Sequence, residues 1–356
     1  MKKLQLAAAA CALIALSANA TTTTLPNYAF TTRTPFGGQN VSTTSNLAKF
    51  NSAAGVLTSA SMTTLFSGTF TYQAYGTSSG MDSAFSTTGF TSFHSTVSGA
   101  NVAITNNRIE ETISCATSAQ CFTSSGSVQP GLAKTVPFAI TKVIQIENYN
   151  LNTFVGDNNV TFKSFVGLGT DAHTATNVDS FSARSGLRNA VLTQTLAYTS
   201  RAHSQASFES ATLSTTASTS LTASDIYKFS VANLGNAGST GLDSATVSCT
   251  GNCDAFDFVS SSFSSLATGL TSTDFGQVSL KANGAAGSYQ ANYSLNFADQ
   301  ANIGASASRL GSSLLLSVSG DVAAAAVTPV PEPETYALML AGLGALGFVA
   351  RRRKLL

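Results

Sequence analysis

Charge is what this chain has least of. Asp, Glu, Lys and Arg together make up 10% of its 356 residues, against about 25% in an ordinary domain. Trp is absent, and there are only three His, five Cys and seven Pro. So few titratable side chains leave little material for general acid–base catalysis. The formal net charge of +1 gives no electrostatic footprint for nucleic acid, which is not expected as a partner. A charge-driven disordered chain is excluded too, because 43% of the residues are hydrophobic and 22 are Phe. What the chain has instead is hydroxyl: Ser and Thr make up about a quarter of it.

The two ends depart from this composition. The first twenty residues read MKKLQLAAAACALIALSANA. Lys2 and Lys3 precede an apolar stretch from Leu4 to Leu16, and Ala18 and Ala20 put small residues at the −3 and −1 positions of a cleavage site. This order describes a secretory signal peptide cut after Ala20, expected as a helix. Cys11 raises lipoprotein processing as an alternative, but the residues before it are Ala8-Ala9-Ala10, without the usual Leu, and the apolar stretch upstream is too short.

The C-terminus begins with Pro331-Glu332-Pro333, continues as an apolar run from Tyr336 to Ala350, and ends in Arg351, Arg352, Arg353 and Lys354. The run is read as a transmembrane helix, although its 15 residues fall short of the ~20 a spanning helix needs. The basic cluster places the C-terminus in the cytoplasm. The order Pro-Glu-Pro, short helix, Arg cluster resembles the PEP-CTERM sorting signal of Gram-negative bacteria. That resemblance implies exosortase, an integral-membrane enzyme, as processing partner, with cleavage near the Pro-Glu-Pro motif. It also implies passage through an inner-membrane intermediate to the cell surface or extracellular matrix, in association with exopolysaccharide or biofilm. Physically, two prolines hold the segment extended and helix-free, as a protease substrate must be.

Without its ends, the body from Thr21 to Val330 has 12 basic and 15 acidic residues, a net charge of −3. Its pattern is of short alternating runs, as in residues 68–75, 141–147, 159–165, 225–231, 289–297 and 314–319. Alternation with period two reads as strands with one buried face. Turn-forming Gly, Asn, Ser and Thr clusters between them point to an all-β protein of antiparallel sandwiches. Residues 110–113 and 185–196 are read as possible helical turns. The polar stretch 201–223 is read as a linker, or as an edge strand near Phe208 or Leu213. The division expected is 1–20 signal, 21–203 an N-terminal β-rich domain, 204–324 an immunoglobulin-like sandwich, and 325–356 the sorting tail.

Three segments carry a second resemblance: Tyr227 to Gly238, Gly287 to Phe297, and Leu314 to Val322 with its Ser-Gly-Asp-Val ending. These resemble choice-of-anchor D domains. Leu47 to Asn51, Gly55 to Thr58, and the strand ending at Tyr198 resemble, more faintly, choice-of-anchor E domains. Neither family name implies catalysis.

Four cysteines remain after signal removal: Cys115, Cys121, Cys249 and Cys253. Export makes disulfides the default, and the two local pairings are favoured over the crossed ones because each flanks turn-forming residues. A four-cysteine zinc site is the alternative, but its spacing fits only the second pair. No metal or cofactor is expected. Asn252, Asp254 and Asp257, with Asp243, form a candidate calcium loop but lack the repeat such loops show. Gly167-Leu168-Gly169 opens no nucleotide-binding helix, and there is no G-x-S-x-G elbow. Tyr72, Tyr75, Tyr149, Tyr198, Tyr289 and Tyr293 could stack on sugars, although strand packing is their plainer role. The expectation is a non-catalytic structural or adhesive protein bound to extracellular polysaccharide. The alternatives are a polysaccharide-active enzyme, with Asp157 and Asp171 or Asp254 and Asp257 as carboxylate pairs, and an uncleaved membrane-anchored protein.

Overall fold

The structure, a computed structural model, describes residues 14–24, 28–32, 37–100, 102–128, 132–281, 285–324 and 333–353. Nine strands form the N-terminal half: β1 (Ile14–Thr24), β2 (Tyr28–Thr32), β3 (Gly37–Ala48), β4 (Val56–Thr77), β5 (Ala84–Val97), β6 (Ala103–Cys115), β7 (Ala133–Ile146), β8 (Asn159–Thr176) and β9 (Ser180–Arg201). A single helical turn, α1 (Ser118–Cys121), lies between β6 and β7. One sheet has the order β1-β9-β4-β7, with β2 also on β9; the other runs β3-β8-β5-β6. All pairings in both are antiparallel.

The alternation in the sequence becomes the sandwich directly. Along β5, Phe85, Thr87, Gly89, Thr91, Phe93, Ser95 and Val97 point inward, and every residue between them is half-exposed. They meet Met62, Phe66, Phe70 and Tyr72 of β4 and Leu187, Leu192 and Leu196 of β9 in one core. Each fully buried Phe or Leu contributes ~2 kcal/mol of apolar burial. The core also holds a polar seam: Gln194 Nε2 donates to Ser95 Oγ at 2.9 Å and Gln194 Oε1 accepts from the Ser45 hydroxyl, while Ser95 pairs with Ser164. The hydroxyls of Thr64, Thr91 and Thr170 are buried without a partner.

The second half contains β10 (Ala206–Ser207), β11 (Thr216–Leu221), β12 (Ile226–Asn233), β13 (Leu242–Gly251), β14 (Phe256–Ser260), β15 (Thr271–Leu280), β16 (Gly287–Asp299) and β17 (Gly311–Val322). Two four-stranded sheets, β10-β12-β15-β14 and β11-β17-β16-β13, enclose a separate core of Phe229, Val231, Phe275, Tyr293, Leu295, Phe297, Leu314 and Leu316. One pair departs from the antiparallel expectation: β11 and β17 run parallel. They are the first long strand and the last of this half, so no hairpin fixes their relative direction.

Several expectations are corrected. The N-terminal segment is not a helix where it is described: residues 14–24 are strand β1, paired with β9. Residues 1–13, with Lys2, Lys3 and Cys11, lie outside the described residues. Residues 110–113 and 185–196 are strand, within β6 and β9, because pairing with neighbouring strands overrides weak helical propensity. The stretch 201–223 is not a free linker. Ser207 Oγ donates to Thr212 O at 3.0 Å and accepts from Ser214 N at 2.9 Å, folding the loop back, and the strands in this stretch are β10, an edge strand ending just before Phe208, and β11, with none at Leu213, which is exposed.

The C-terminal helix, α2 (Pro333–Arg352), covers the expected run. Among the described residues, however, no helix is long and apolar enough to cross a membrane. The 15-residue run rises only ~22 Å at 1.5 Å per residue, against ~30 Å of bilayer hydrocarbon. Seven of its residues are Ala or Gly, which dilutes its hydropathy. Residues 334–353 are exposed throughout.

Candidate functional site

Three places in the fold gather polar chemistry. The first is the joint between the two sandwiches. Inward-facing Ala291, Tyr293, Leu295 and Phe297 on β16 are followed in phase by Asp299, so a carboxylate occupies a core position. Its oxygens accept from Ser204 N at 2.7 Å, Ser204 Oγ at 2.8 Å, Thr240 Oγ1 at 2.7 Å and Leu310 N at 2.9 Å. His203 Nδ1 lies 2.6 Å from Asp299 Oδ2, and His203 Nε2 lies 2.7 Å from Ser52 O of the first half. Burial raises the Asp299 pKa. The backbone amides of Leu310 and Ser204, then Thr240 and His203, outweigh it, and the net shift is downward.

The β16–β17 connection closes the same joint. Ala305 is buried in the first core, its N–H donates to Leu57 O at 2.8 Å, and Leu57 N donates to Ser308 Oγ at 3.0 Å. This arrangement holds the halves together. Sequence reading missed it, yet the phase of Asp299 behind Leu295 and Phe297 was a usable signal.

The second place is a groove of about 650 Å³ beside α1, walled by Ser78, Ser79, Ser118, Phe122, Thr123 and Ser125. Its lining has hydroxyls and backbone but no charged side chain, a surface suited to neutral hydrogen-bonding partners. The Cys115–Cys121 disulfide, with Cα atoms 5.4 Å apart, braces its wall. Cys249 and Cys253 are joined likewise, with Cα atoms 6.1 Å apart. All four thiols are therefore consumed, and no thiolate remains for zinc.

The remaining candidates are dispersed. Asp171 pairs with Arg108, which also reaches Glu110 at 2.7 Å and sits 3.9 Å over the Phe90 ring. Asp257 faces Lys281 at 3.5 Å. Asp243 accepts from Ser265 N and Ala301 N, and Asn252 Oδ1 accepts from Gln290 N at 3.1 Å. The oxygens of Asp243, Asn252 and Asp257 are thus engaged by backbone amides and by Lys281. Among the described residues no group of three or more His, Cys, Asp or Glu could hold a metal ion. His94 stacks on Phe165 at 4.6 Å and His173 lies against Phe181 at 5.1 Å.

Of the tyrosines, Tyr72, Tyr198 and Tyr293 are buried and unavailable as sugar platforms. Burial pushes the Tyr72 phenol up to about 12, with the Thr87 hydroxyl opposing. Burial raises Tyr198 as well; its O–H donates to Ala48 O at 2.8 Å. Tyr149 and Tyr75 are exposed.

The third place is the tail. Pro333 opens α2, and Arg351 and Arg352 close it. Pro331, Glu332 and Lys354 lie outside the described residues. Residues 329–354 match the PEP-CTERM protein-sorting motif. This PEP-CTERM match supports an exosortase substrate and implies export through the cell envelope to the surface. It covers the tail alone and gives no support to the likeness of the body to choice-of-anchor domains.

No curated protein matches the chain. Among solved structures, the infectious bursal disease virus VP2 subviral particle is 11% identical, with a TM-score of 0.18, over 52% of this chain and 42% of that one. Domains 1–6 of the surface layer protein SbsC are 13% identical, with a TM-score of 0.17, over 66% of this chain and 32% of that one. The chain thus spans less than half the length of either.

Proposed function

We propose that this protein is exported as a precursor, cut by exosortase near Pro331-Glu332-Pro333, and released as a non-catalytic structural or adhesive component of an exopolysaccharide-rich matrix. The observation that carries the reading is the PEP-CTERM match over residues 329–354, whose helix is exposed on every side. A helix with apolar residues such as Leu338, Leu346 and Phe348 facing water suits a segment made for another environment and then discarded. In this reading exosortase engages that short helix at the inner membrane of a Gram-negative cell, and Arg351 to Lys354 stay on the cytoplasmic side.

The body contributes stability and surface rather than catalysis. Of its carboxylates, Asp171 is tied to Arg108, Asp257 to Lys281 and Asp243 to backbone amides. The uncharged hydroxyl groove beside α1 supplies hydrogen-bonding groups suited to a neutral, hydrated polysaccharide. Likeness of the two halves to choice-of-anchor domains fits the same role. The deciding measurement is the intact mass of protein released into the medium, compared between cells with and without exosortase. Loss of the residues after the Pro-Glu-Pro region, only when exosortase is present, is the expected result. A released protein that keeps residues 334–356 in both strains overturns the proposal.

A further inference from the structure

Strand β1 crosses the signal cleavage point. Ala20 pairs with Thr195, Asn19 with Leu196, and Leu16, Ala15 and Ile14 with Tyr198, Thr199 and Ser200. Residues 21–24 pair instead with 191–194, and β2 covers 183–187. Cleavage after Ala20 therefore leaves most of β9 covered but strips one end, Thr195 to Ser200, along one side. The other side stays paired with β4, from Thr195 opposite Thr63 to Arg201 opposite Val56. The stripped segment is thus held extended and presents unpaired backbone donors and acceptors over ~20 Å.

This end of β9 is not built to face water. The other edge of the same sheet, β7, carries Lys134, Pro137 and Lys142, the devices that blunt an exposed strand. Residues 195–200, by contrast, read TLAYTS, without charge or proline. Leu196, Tyr198 and Ser200 point inward, and Thr195, Ala197 and Thr199 point outward.

We propose that signal removal opens this edge and that a second copy of the chain takes it, β9 against β9. The inference rests on the export reading above. β1 shows that the edge accepts an antiparallel strand, and a two-fold axis perpendicular to the sheet presents β9 to its own copy in that direction. Opposed residues in an antiparallel pair share a face. Tyr198 on the axis satisfies this, setting Leu196 against Ser200, Ala197 against Thr199 and Thr195 against Arg201. The segment brings no charge to the axis, so nothing repels the copy there. The product is one sheet continuous through two molecules, with β7 as its outer edge on each.

The test uses protein exported by its native route, with the N-terminus sequenced and the mass in solution measured by light scattering. A dimer beginning at Thr21 is expected. The Ala197→Lys/Thr199→Lys double variant sets lysine against lysine twice and should weaken the dimer about tenfold or more with little change in Tm. Should that variant not fold, Ala197→Cys/Thr199→Cys gives the positive readout: an intermolecular disulfide across the axis. A chain beginning at Thr21 that is monomeric, or a dimer indifferent to the lysines and uncrosslinked by the cysteines, overturns the inference and leaves export standing. An exported chain that retains residues 14–20 keeps the edge covered and overturns the inference alone, whereas a chain found only in the cytoplasm with those residues intact overturns both.

Discussion

His203 and Asp299 face each other at 2.6 Å across the joint between the two sandwiches, and the far nitrogen of the same ring reaches Ser52 of the first half. A buried carboxylate that collects bonds from His203, Ser204, Thr240 and Leu310 is stabilised in its ionised form. Its folded pKa lies below the ordinary carboxylate value. For such a group the stabilisation is present above the unfolded pKa and is lost as pH falls through the folded one. Tm should therefore hold from neutral pH down to about 4 and drop below it. Asp299→Asn should cost about 3 kcal/mol at neutral pH and flatten the acid limb. Thermal unfolding of both proteins over that range checks this, and equal acid limbs would remove Asp299 as the cause.

The disulfides close short loops, with sequence separations of 6 and 4. In the chain-entropy account each stabilises by about 2 kcal/mol. The Cys115→Ser/Cys121→Ser variant should lose roughly that amount in denaturant unfolding while keeping the fold. It should also loosen the groove beside α1, seen as faster amide exchange at residues 118–126.

Gly89 on β5 faces the ring of Tyr72 on β4, and a Cβ there would run into the ring carbons. Tyr72 is fully buried and bonded to Thr87, so the ring has nowhere to move. Gly89→Ala should destabilise by about 1–3 kcal/mol through overpacking. Tyr72→Phe, which removes only the hydroxyl and leaves Thr87 without it, should cost about 1 kcal/mol. Chemical denaturation of the two variants tests the order.

At the other end of the molecule, replacing Arg351, Arg352, Arg353 and Lys354 together by Asn should remove the charge that holds the tail on the cytoplasmic side. Cell fractionation should then show uncut precursor outside the inner membrane. Unchanged processing would sink the stop-transfer role given to those four residues.

How much of this was legible follows from where the alternation is clean. β16 shows large apolar residues at every second position, and its extent and inner face could be read directly. β9 could not be read so, because Ser, Thr and Gln stand on both faces: Gln194 and Ser200 point inward, Thr195 and Thr199 outward. A chain rich in hydroxyls hides its phase, and nothing in the pattern marked the seam of Ser45, Ser95, Ser164 and Gln194 inside the first core. The tail was legible because its three parts are chemically unlike one another and adjacent. His203 and Asp299, 96 residues apart in sequence, meet only once β16 has folded.

The exposure of α2 has a thermodynamic consequence. Since residues 334–353 bury nothing against either sandwich, severing them forfeits no packing and opens no cavity. A cut there should be silent to the folding equilibrium of the body, so that precursor and product share one melting temperature.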